Sequence, residues 1–596
     1  MEENKGSLEL SDILIDVADF GIEQDKVSKI EKVDSFNTLT ERPPMLTIGK
    51  DVWEVDYEDS DEEKKSLFIG TLFNPGHVPK AATIGLAVSQ VLATATLNQN
   101  GELLHKKKRT PMVTNIKSIR FTENADIKTP SKEPFYIVIP ENIPGQMQTQ
   151  SAELYYQKIK MCDIALEMQA LSPGVLEKRG LRKRMNWGGE KEEKQNQVIQ
   201  NISQNWTEPK GKIYVPGFGD DYALEQHAIK SDTERVGVMR VNENIFEGHF
   251  PDAKIIPLAG TALPGFMLAL DWFNETHQGE LFEISTIEDV EVGDAVLPND
   301  VLYYELKQKT ENSFELEVFF IDKDEQLQKA IRFGNLEISP AKRLENLWGD
   351  EAISDAFAFQ NMIPEYQTEQ LDVFREQVGK ACKSFDYQGD TLKIADIGAG
   401  VAANISKIAL EELGKYWDKD IQLSITDVDI AIAKQAEANL RDQGILKDNV
   451  SVQHFASSQN GEVIPDIGEQ DMLVANFSMN YGNIDQTIQK LSDSVRIGGQ
   501  IIIGLVNPHP KYYKLLNMVA QRMNEAQDWS FYDEYLRMKE AGNAMDYFDI
   551  LGHKQNCDYI DSASFAEKLE KSGFDIDEIV EDTFAGIGHI IRATKK

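Results

Sequence analysis

The chain has 596 residues, of which 41% are hydrophobic and 27% charged, with a net charge of −37. That length exceeds one core and implies several domains at roughly 100–200 residues each. So large an acidic excess disfavours nucleic acid and anionic membrane as partners, and no apolar run approaches the ~18–20 residues of a membrane span. Cys162, Cys382 and Cys557 are too few and too scattered for a disulfide framework or a zinc site. The opening MEENKGSLEL lacks the basic start and apolar core of a secretory signal, so a reducing cytoplasm is the expected compartment.

In chain order, residues 1–44 read as a polar, acidic tail with one short helix at LSDILIDVADF. Residues 45–172 read as one unit. It opens with a strand near 66–72, and the Ala-rich run GHVPKAATIGLAVSQVLATATL predicts a buried helix. Strand-like runs follow at TNIKSIRFTE, PFYIVIPE and SAELYYQKIKMCDIALEMQAL. Residues 173–210 are charged and without steady periodicity, which predicts a linker. Residues 211–340 repeat the earlier order. VGVMRVNEN is strand-like, EGHFPDAKIIPLAGTALPGFMLALDWFN leads into an apolar helix, and four strands follow at ISTIEDVEVG, DVLYYELKQK, SFELEVFFID and KAIRFGNLEIS. Both units carry Gly-His-x-Pro before the helix, the mark of an internal duplication. From 350 to 596 strands alternate with helices at LKIADIGAG, IQLSITDVD, SVQHFAS, DMLVANFSM and GGQIIIGLV. That alternation predicts a parallel sheet covered on both faces.

IADIGAGVAANISKIALEEL is a buried strand running through a Gly turn into a helix. Gly398 and Gly400 would let the backbone turn sharply and approach a ligand, and the helix start offers N–H groups to an anion. Asp427 closes the second strand and is placed to accept ribose hydroxyls. With DMLVANFSMNYGNI and LSDSVRIGGQIIIGLV, this set resembles the class I S-adenosylmethionine-dependent methyltransferases over 350–596, and its second strand resembles the C-methyltransferase domains of polyketide synthases. Ala402 stands where the family has a third glycine. The resemblance implies an α/β Rossmann-like domain with S-adenosylmethionine as cofactor. Gly398 and Gly400 would border its methionine moiety, with Asp396 toward the amino group and Asp427 at the ribose. Ala456 and Ser457 would flank the adenine, and Asn476 would sit below the sulfonium.

Carbon methylation needs a base to form the enolate. The polyketide relatives carry a His after the fourth strand and a Glu after the fifth; this chain has Met479-Asn480-Tyr481 and GLVNPHP there. His509 is the candidate base and Tyr481 the second. His509 as an ordinary loop residue, and oxygen rather than carbon as the acceptor, stay open.

FNPGHVPKAATIG and FEGHFPDAKIIP resemble the PGHFP turn of hotdog-fold β-hydroxyacyl-carrier-protein dehydratases, a likeness extended by IEDVEVGDAVLPNDVLYYELK and TNIKSIRFTENADI. It covers 45–172 and 211–340 and implies an α+β double hotdog, each unit a helix wrapped by an antiparallel sheet. Dehydration needs a base for the α-proton, suited to His, and an acid kept protonated in an apolar tunnel. The resemblance makes His77 and His249 the bases, with the acid drawn from the opposite helix. The positions nearest that acid are Gln90 in the first helix and Leu270 in the second, with Asp271 one place on. Asp271 would pair with His77 and Gln90 with His249, although a glutamine cannot donate a proton as a carboxylic acid does.

Together the resemblances imply a bifunctional tailoring protein acting in trans in polyketide or fatty-acid-like biosynthesis. It would methylate and dehydrate acyl chains on the phosphopantetheine arm of an acyl carrier protein, beside a separate ketosynthase and ketoreductase. Two alternatives stand: a methyltransferase whose double hotdog is an inactive acyl- or carrier-binding scaffold, and a small-molecule O-methyltransferase. Basic clusters at Lys106, Lys107, Lys108 and Arg109, and at Lys178, Arg179, Arg182, Lys183 and Arg184, are either solvated loops or a landing patch for an acidic carrier. Reversing two charges among Lys178, Arg179, Arg182 and Lys183 is expected to raise the Michaelis constant for a carrier-bound substrate and leave cofactor affinity unchanged; steady-state kinetics with a loaded carrier checks it.

Overall fold

The period-two runs of the front half become strands of one fourteen-stranded antiparallel sheet. The computed structural model describes residues 10–32, 53–74, 110–122, 131–140, 148–171, 191–242, 258–340, 360–519 and 559–596, apart from short gaps, with Arg522 and Asp546. The chain divides into two units, residues 1–357 with 516–553, and 358–515 with 554–596. Among the described residues no helix is long and apolar enough to cross a membrane.

The front unit runs α1 (Leu10–Asp19), β1 (Val27–Lys32), β2 (Trp53–Glu58), β3 (Lys64–Asn74), β4 (Thr110–Phe121), β5 (Ser131–Pro140), β6 (Gln148–Tyr156), β7 (Ile159–Leu171) and α2 (Lys191–Ser203). Then come β8 (Thr207–Lys210), β9 (Ile213–Val215), β10 (Gly219–Leu224), β11 (Gln226–Ser231), β12 (Glu234–Arg240), α3 (Leu258–Thr276), β13 (Phe282–Val292), β14 (Val301–Thr310), β15 (Ser313–Ile321) and β16 (Leu327–Pro340). The sheet order contains β3-β5-β6-β7-β4 followed by β13-β16-β15-β14-β12. In each block the first strand lies beside the third, and the second lies at the opposite side beside the fifth. One strand order therefore occurs twice, and the two copies join through β4 and β13. Ile119 faces Ile287 and Ile116 faces Val290 across that junction, and Arg120 Nη2 donates to Glu288 Oε1 at 2.6 Å.

Helix α3 lies against the second block because its apolar residues cover nearly the whole circumference. Phe266, Ala269, Leu270 and Phe273 are all buried. Gly265 brings the backbone against the sheet: a Cβ there would lie 2.5 Å from Leu316 Cδ2 and 3.1 Å from Tyr304 Cδ1. The Tyr304 hydroxyl donates to Thr261 O at 3.1 Å, holding the first turn.

Three segments differ from the sequence expectation. The stretch 173–210 contains helix α2 and strand β8. Val198, Ile199, Ile202 and Trp206 pack on Ala228, Val236 and Tyr303, so a few apolar residues within a charged stretch suffice for a helix once a sheet face waits for them. The acidic front supplies more than a helix. Ile13 and Val17 join Val55, Leu67 and Tyr136 in a core, and β1 extends the sheet by pairing with β2. The long run from Ser151 to Leu171 is two strands, broken at Lys158 with a left-handed φ of 62°. The helix expected over 76–97 lies outside the described residues. So do most of residues 516–553; of these, Asp546 accepts the Gly217 N–H at 2.8 Å.

The back unit opens with a π-helical turn, Tyr366–Leu371, continuing into α4 (Asp372–Ser384). It proceeds through β17 (Thr391–Ile397), α5 (Asn404–Tyr416), β18 (Asp420–Asp427), α6 (Ile430–Asp442), β19 (Val450–Ala456), β20 (Gln470–Asn476), α7 (Ile484–Ser494), β21 (Val495–Val506), α8 (Ser562–Lys571), β22 (Phe574–Asp582) and β23 (Gly588–Lys595). The order is β19-β18-β17-β20-β21-β23-β22. The first five strands are parallel, as the alternating pattern predicts, and β23 runs antiparallel to β21 and β22. The order reverses between β17 and β20, which opens a crevice at their carboxyl ends, the usual ligand position in open α/β sheets.

The close approach at Gly265 yields a stability test. Gly265→Val should destabilise the front unit by about 1–3 kcal/mol through overpacking, lowering its midpoint in scanning calorimetry while the back unit's transition stays in place.

Candidate functional site

Strand β17 is buried along most of its length and delivers Asp396 to the crevice. Gly398 and Gly400 then take left-handed φ values of 67° and 61°, which cost other residues energy. They differ in what surrounds them. A Cβ on Gly398 would run into Ser478 Cβ, whereas one on Gly400 meets nothing within 4 Å. The turn is tied to β18 by hydrogen bonds: Gly398 N–H donates to Thr426 Oγ1 at 3.2 Å, Ala399 N–H to Thr426 O at 2.9 Å, and Gly400 N–H to Asp427 Oδ2 at 2.9 Å. The other Asp427 oxygen accepts Val428 N–H at 2.8 Å. Burial raises the Asp427 pKa above the usual carboxylate value, against the lowering pull of those N–H groups.

Asp396 is fully buried. Its Oδ2 accepts the Ser406 hydroxyl at 2.6 Å, and its Oδ1 has no hydrogen-bond partner. Burial, with Asp427 adding to it, pushes its pKa up to about 7. A bare carboxylate oxygen in such surroundings is costly until a donor or cation meets it.

Asn476, at the exit of β20, is clamped from the π-helical turn. Its Oδ1 accepts Gln370 Nε2 at 2.5 Å, and its Nδ2 donates to the Tyr366 hydroxyl at 2.8 Å. The Oε1 of Gln370 is buried without a partner, and burial pushes the Tyr366 pKa up to about 12. The Tyr366 ring stands edge-on to Phe584 at 5.2 Å, and Glu369 Oε2 accepts Ala585 N–H at 2.8 Å. Single π turns of this kind are frequent at functional sites. On the other side Ala456 ends β19 opposite Asp427, and Ser457 N–H donates to Asp427 O at 2.7 Å.

Asp396, Gly398, Gly400, Asp427, Ala456, Ser457 and Asn476 thus gather at the carboxyl ends of β17 to β20. His509 lies in the turn after β21 with φ 50°. Tyr481, His77, Gln90, His249 and both basic clusters lie outside the described residues. Asp271 is on α3 with its pKa pushed up to about 6, first by burial and then by Glu275, while Lys210 and Arg235 pull it down. Lys210 also pairs with Glu275.

Sequence reasoning missed His589 and Asn507. The His589 ring is fully buried, its Nδ1 lies 2.6 Å from Asn507 Oδ1, its Nε2 has no partner, and burial pushes its pKa down to about 4. It missed Tyr366 and Gln370 as well, since no local pattern marks a π turn.

No family model matches the chain, and no curated protein does. Solved structures resemble parts of the chain only distantly. The trans-methyltransferase CalH, in complex with SAH, is 15% identical, with 37% of this chain and 55% of CalH covered and a TM-score of 0.26. The DszA carbon methyltransferase is 15% identical, with 38% and 54% covered and a TM-score of 0.26. A fusion DH domain is 12% identical, with 48% and 92% covered and a TM-score of 0.24. The chain thus spans about half the length of these two methyltransferases, and likeness at this distance carries no chemistry.

The two turn glycines make separable demands. Gly400→Ala should cost about 1 kcal/mol from its φ alone, and Gly398→Ala more, since Ser478 must also move; chemical denaturation of the back unit is expected to rank them in that order.

Proposed function

We propose that the back unit is an S-adenosylmethionine-dependent methyltransferase of class I, and that the front unit is a double hotdog gripping an acyl chain on the phosphopantetheine arm of an acyl carrier protein. One observation carries the methyltransferase reading: the buried, bare Oδ1 of Asp396 beside a glycine turn whose neighbouring acid, Asp427, closes the next strand. When bound, the cofactor supplies an electrophilic methyl group. Asp396 would take its ammonium. Asp427 uses one lone pair of each oxygen on the turn and keeps the others for ribose hydroxyls. Val401 and Val428 on the turns and Ile430 at the start of α6 are exposed apolar side chains around this crevice, a surface suited to a flat base with Ala456 and Ser457 at its edge. Asn476, Gly398 and Gly400 would line the rest.

The repeated strand order, with α3 laid against the second copy, supports the double hotdog. The surroundings of Asp271 favour a gripping scaffold over a dehydratase. Its charged neighbours Lys210 and Arg235 come from β8 and β12, toward the sheet end away from the β4–β13 junction. Dehydration by His77 with Asp271, and by His249 with Gln90, is the second reading; loss of water from a 3-hydroxyacyl pantetheine thioester, followed by mass spectrometry, distinguishes it. A cytoplasmic setting, with ketosynthase and ketoreductase on separate chains, completes the proposal.

Titration calorimetry with S-adenosylmethionine and SAH tests the cofactor site, and no heat at millimolar ligand would refute it. Asp396→Asn should weaken binding about 10–100-fold, the loss of a charge-assisted hydrogen bond, without lowering stability. The carboxyl must be ionised to hold an ammonium. With its pKa raised from 3.8 to about 7 in the free protein, affinity should be flat above about pH 8 and fall about tenfold per pH unit below 7. The same shift makes the unliganded protein lose stability as pH rises from about 4 to about 7, where the unfolded chain has released this proton and the folded one still holds it, and the loss levels off above that. The cofactor's thermal stabilisation should therefore grow over that interval, and the Asp396→Asn variant should lack the dependence.

A further inference from the structure

The edge of the front sheet carries a polar cluster that the proposed function leaves unused. Ala228 and Val236 pack on α2, and neighbouring residues of a strand point to opposite faces, so His227 and Arg235 face the other way, toward α3. Lys210 of β8 pairs with His227 in register and joins them on that face. From α3, the Trp272 ring lies against the Arg235 guanidinium, whose carbon is 4.2 Å from the ring centroid, and Glu275 pairs with Lys210. Asp271, one residue before Trp272, feels the charges of Glu275, Lys210 and Arg235.

Three of these groups lack partners. Arg235 Nη1 donates to Ser231 O at 3.0 Å and to Glu234 O at 3.3 Å, which fixes the guanidinium on the indole. Its Nε is buried without a partner, and among the described residues neither Nε nor Nη2 meets a carboxylate. Both ring nitrogens of His227 are buried without partners, in a residue only 7% exposed. Asp271 makes no hydrogen bond or ion pair among the described residues. Buried polar groups are nearly always paired, and a guanidinium drawn out of water calls for an anion beside it. Glu275 does not serve, since Lys210 holds it.

The free edge of Arg235, Nε with Nη2, is the side-on fork that meets two oxygens of one planar anion. We propose that this edge, with His227 and Asp271 around it, is a binding site for a small organic carboxylate, separate from the methyl-donor crevice. The ligand's two oxygens accept the Arg235 N–H pair, and Asp271 in its protonated form donates to one of them. His227 offers one further N–H. A monoanion fits better than a phosphate dianion, because Glu275, Glu208 and Asp232 also act on the guanidinium and would repel a second charge. Burial, then Glu275, pushes the Asp271 pKa up to about 6, while Lys210 and Arg235 pull it down, and the proton it holds below that value removes a like charge beside the ligand. Burial keeps His227 neutral, with its pKa down at about 4; Lys210 and Arg235 lower it further and Glu275 raises it. Binding therefore draws a proton onto Asp271, and affinity falls about tenfold per pH unit above 6. A bound carboxylate ties α3 to β11 and β12 and stabilises the front unit. This site is independent of the methyltransferase reading and gives Asp271 a role other than dehydration.

Titration calorimetry of the full-length chain with sodium formate and with inorganic phosphate, at pH 5.5 and pH 7.5, tests the site. Formate should bind once per chain, about 20–30-fold more tightly at pH 5.5, where Asp271 is mostly protonated, than at pH 7.5. Phosphate should bind more weakly than formate at both values. Arg235→Gln should abolish the formate heat. Where that variant does not fold, Asp271→Asn decides: its amide N–H is present at every pH, so formate should bind it at pH 7.5 as tightly as it binds the wild type at pH 5.5. Equal wild-type affinity at the two pH values, a pH dependence that survives in Asp271→Asn, undiminished binding by Arg235→Gln, or a preference for phosphate overturns the assignment, as does the absence of any saturable formate heat.

Discussion

The carboxylate of Asp427 receives two backbone N–H groups, from Gly400 and Val428, and thereby ties the end of one strand to the turn closing its neighbour. The rest of the crevice follows from that tie. The turn can carry two left-handed glycines because its N–H groups have fixed partners. With the turn in place, Ser478 packs over Gly398 and Asp396 is sealed beneath with one oxygen bare. A carboxylate so enclosed is unfavourable by itself, and it persists because β17 and β18 around it are paired along their whole length.

A second side chain does the same work at the other rim. Asn507 holds the turn before β23 by two carbonyls and holds an imidazole by its oxygen. Between these rims, Asn476 is gripped by Gln370 and Tyr366 from outside the sheet. Asp427, Asn507 and Asn476 thus each tie together segments distant in sequence.

Much of this was legible in the chain. Blocks of Ile, Val, Leu and Ala marked the five parallel strands, and the residues named near the ends of those blocks, Asp396, Asp427, Ala456 and Asn476, lie together at the carboxyl ends of the sheet. The front strands were readable from alternation, and their duplication from the repeated Gly-His-x-Pro. What stayed hidden was whatever depends on pairing between distant segments. His589 and Asn507 are 82 residues apart, and they meet only because β23 turns back along β21. Helix α2 was hidden because its three apolar residues mean little until the face formed by Ala228, Val236 and Tyr303 exists to receive them. The π turn looks in sequence like the first turn of an ordinary helix.

Neither unit is continuous along the chain. Residues 516–553 belong with 1–357, and 554–596 with 358–515. On the ribosome the front unit must wait for 196 further residues (553 − 357) beyond residue 357 before its last part emerges, roughly ten to forty seconds at about 5–20 residues per second. The back unit waits for 81 further residues (596 − 515) beyond residue 515, which include the strand that carries His589. The nascent protein thus holds its parallel back sheet with an open edge until the last two strands emerge, and its dependence on chaperones should be set by this interleaving more than by its size.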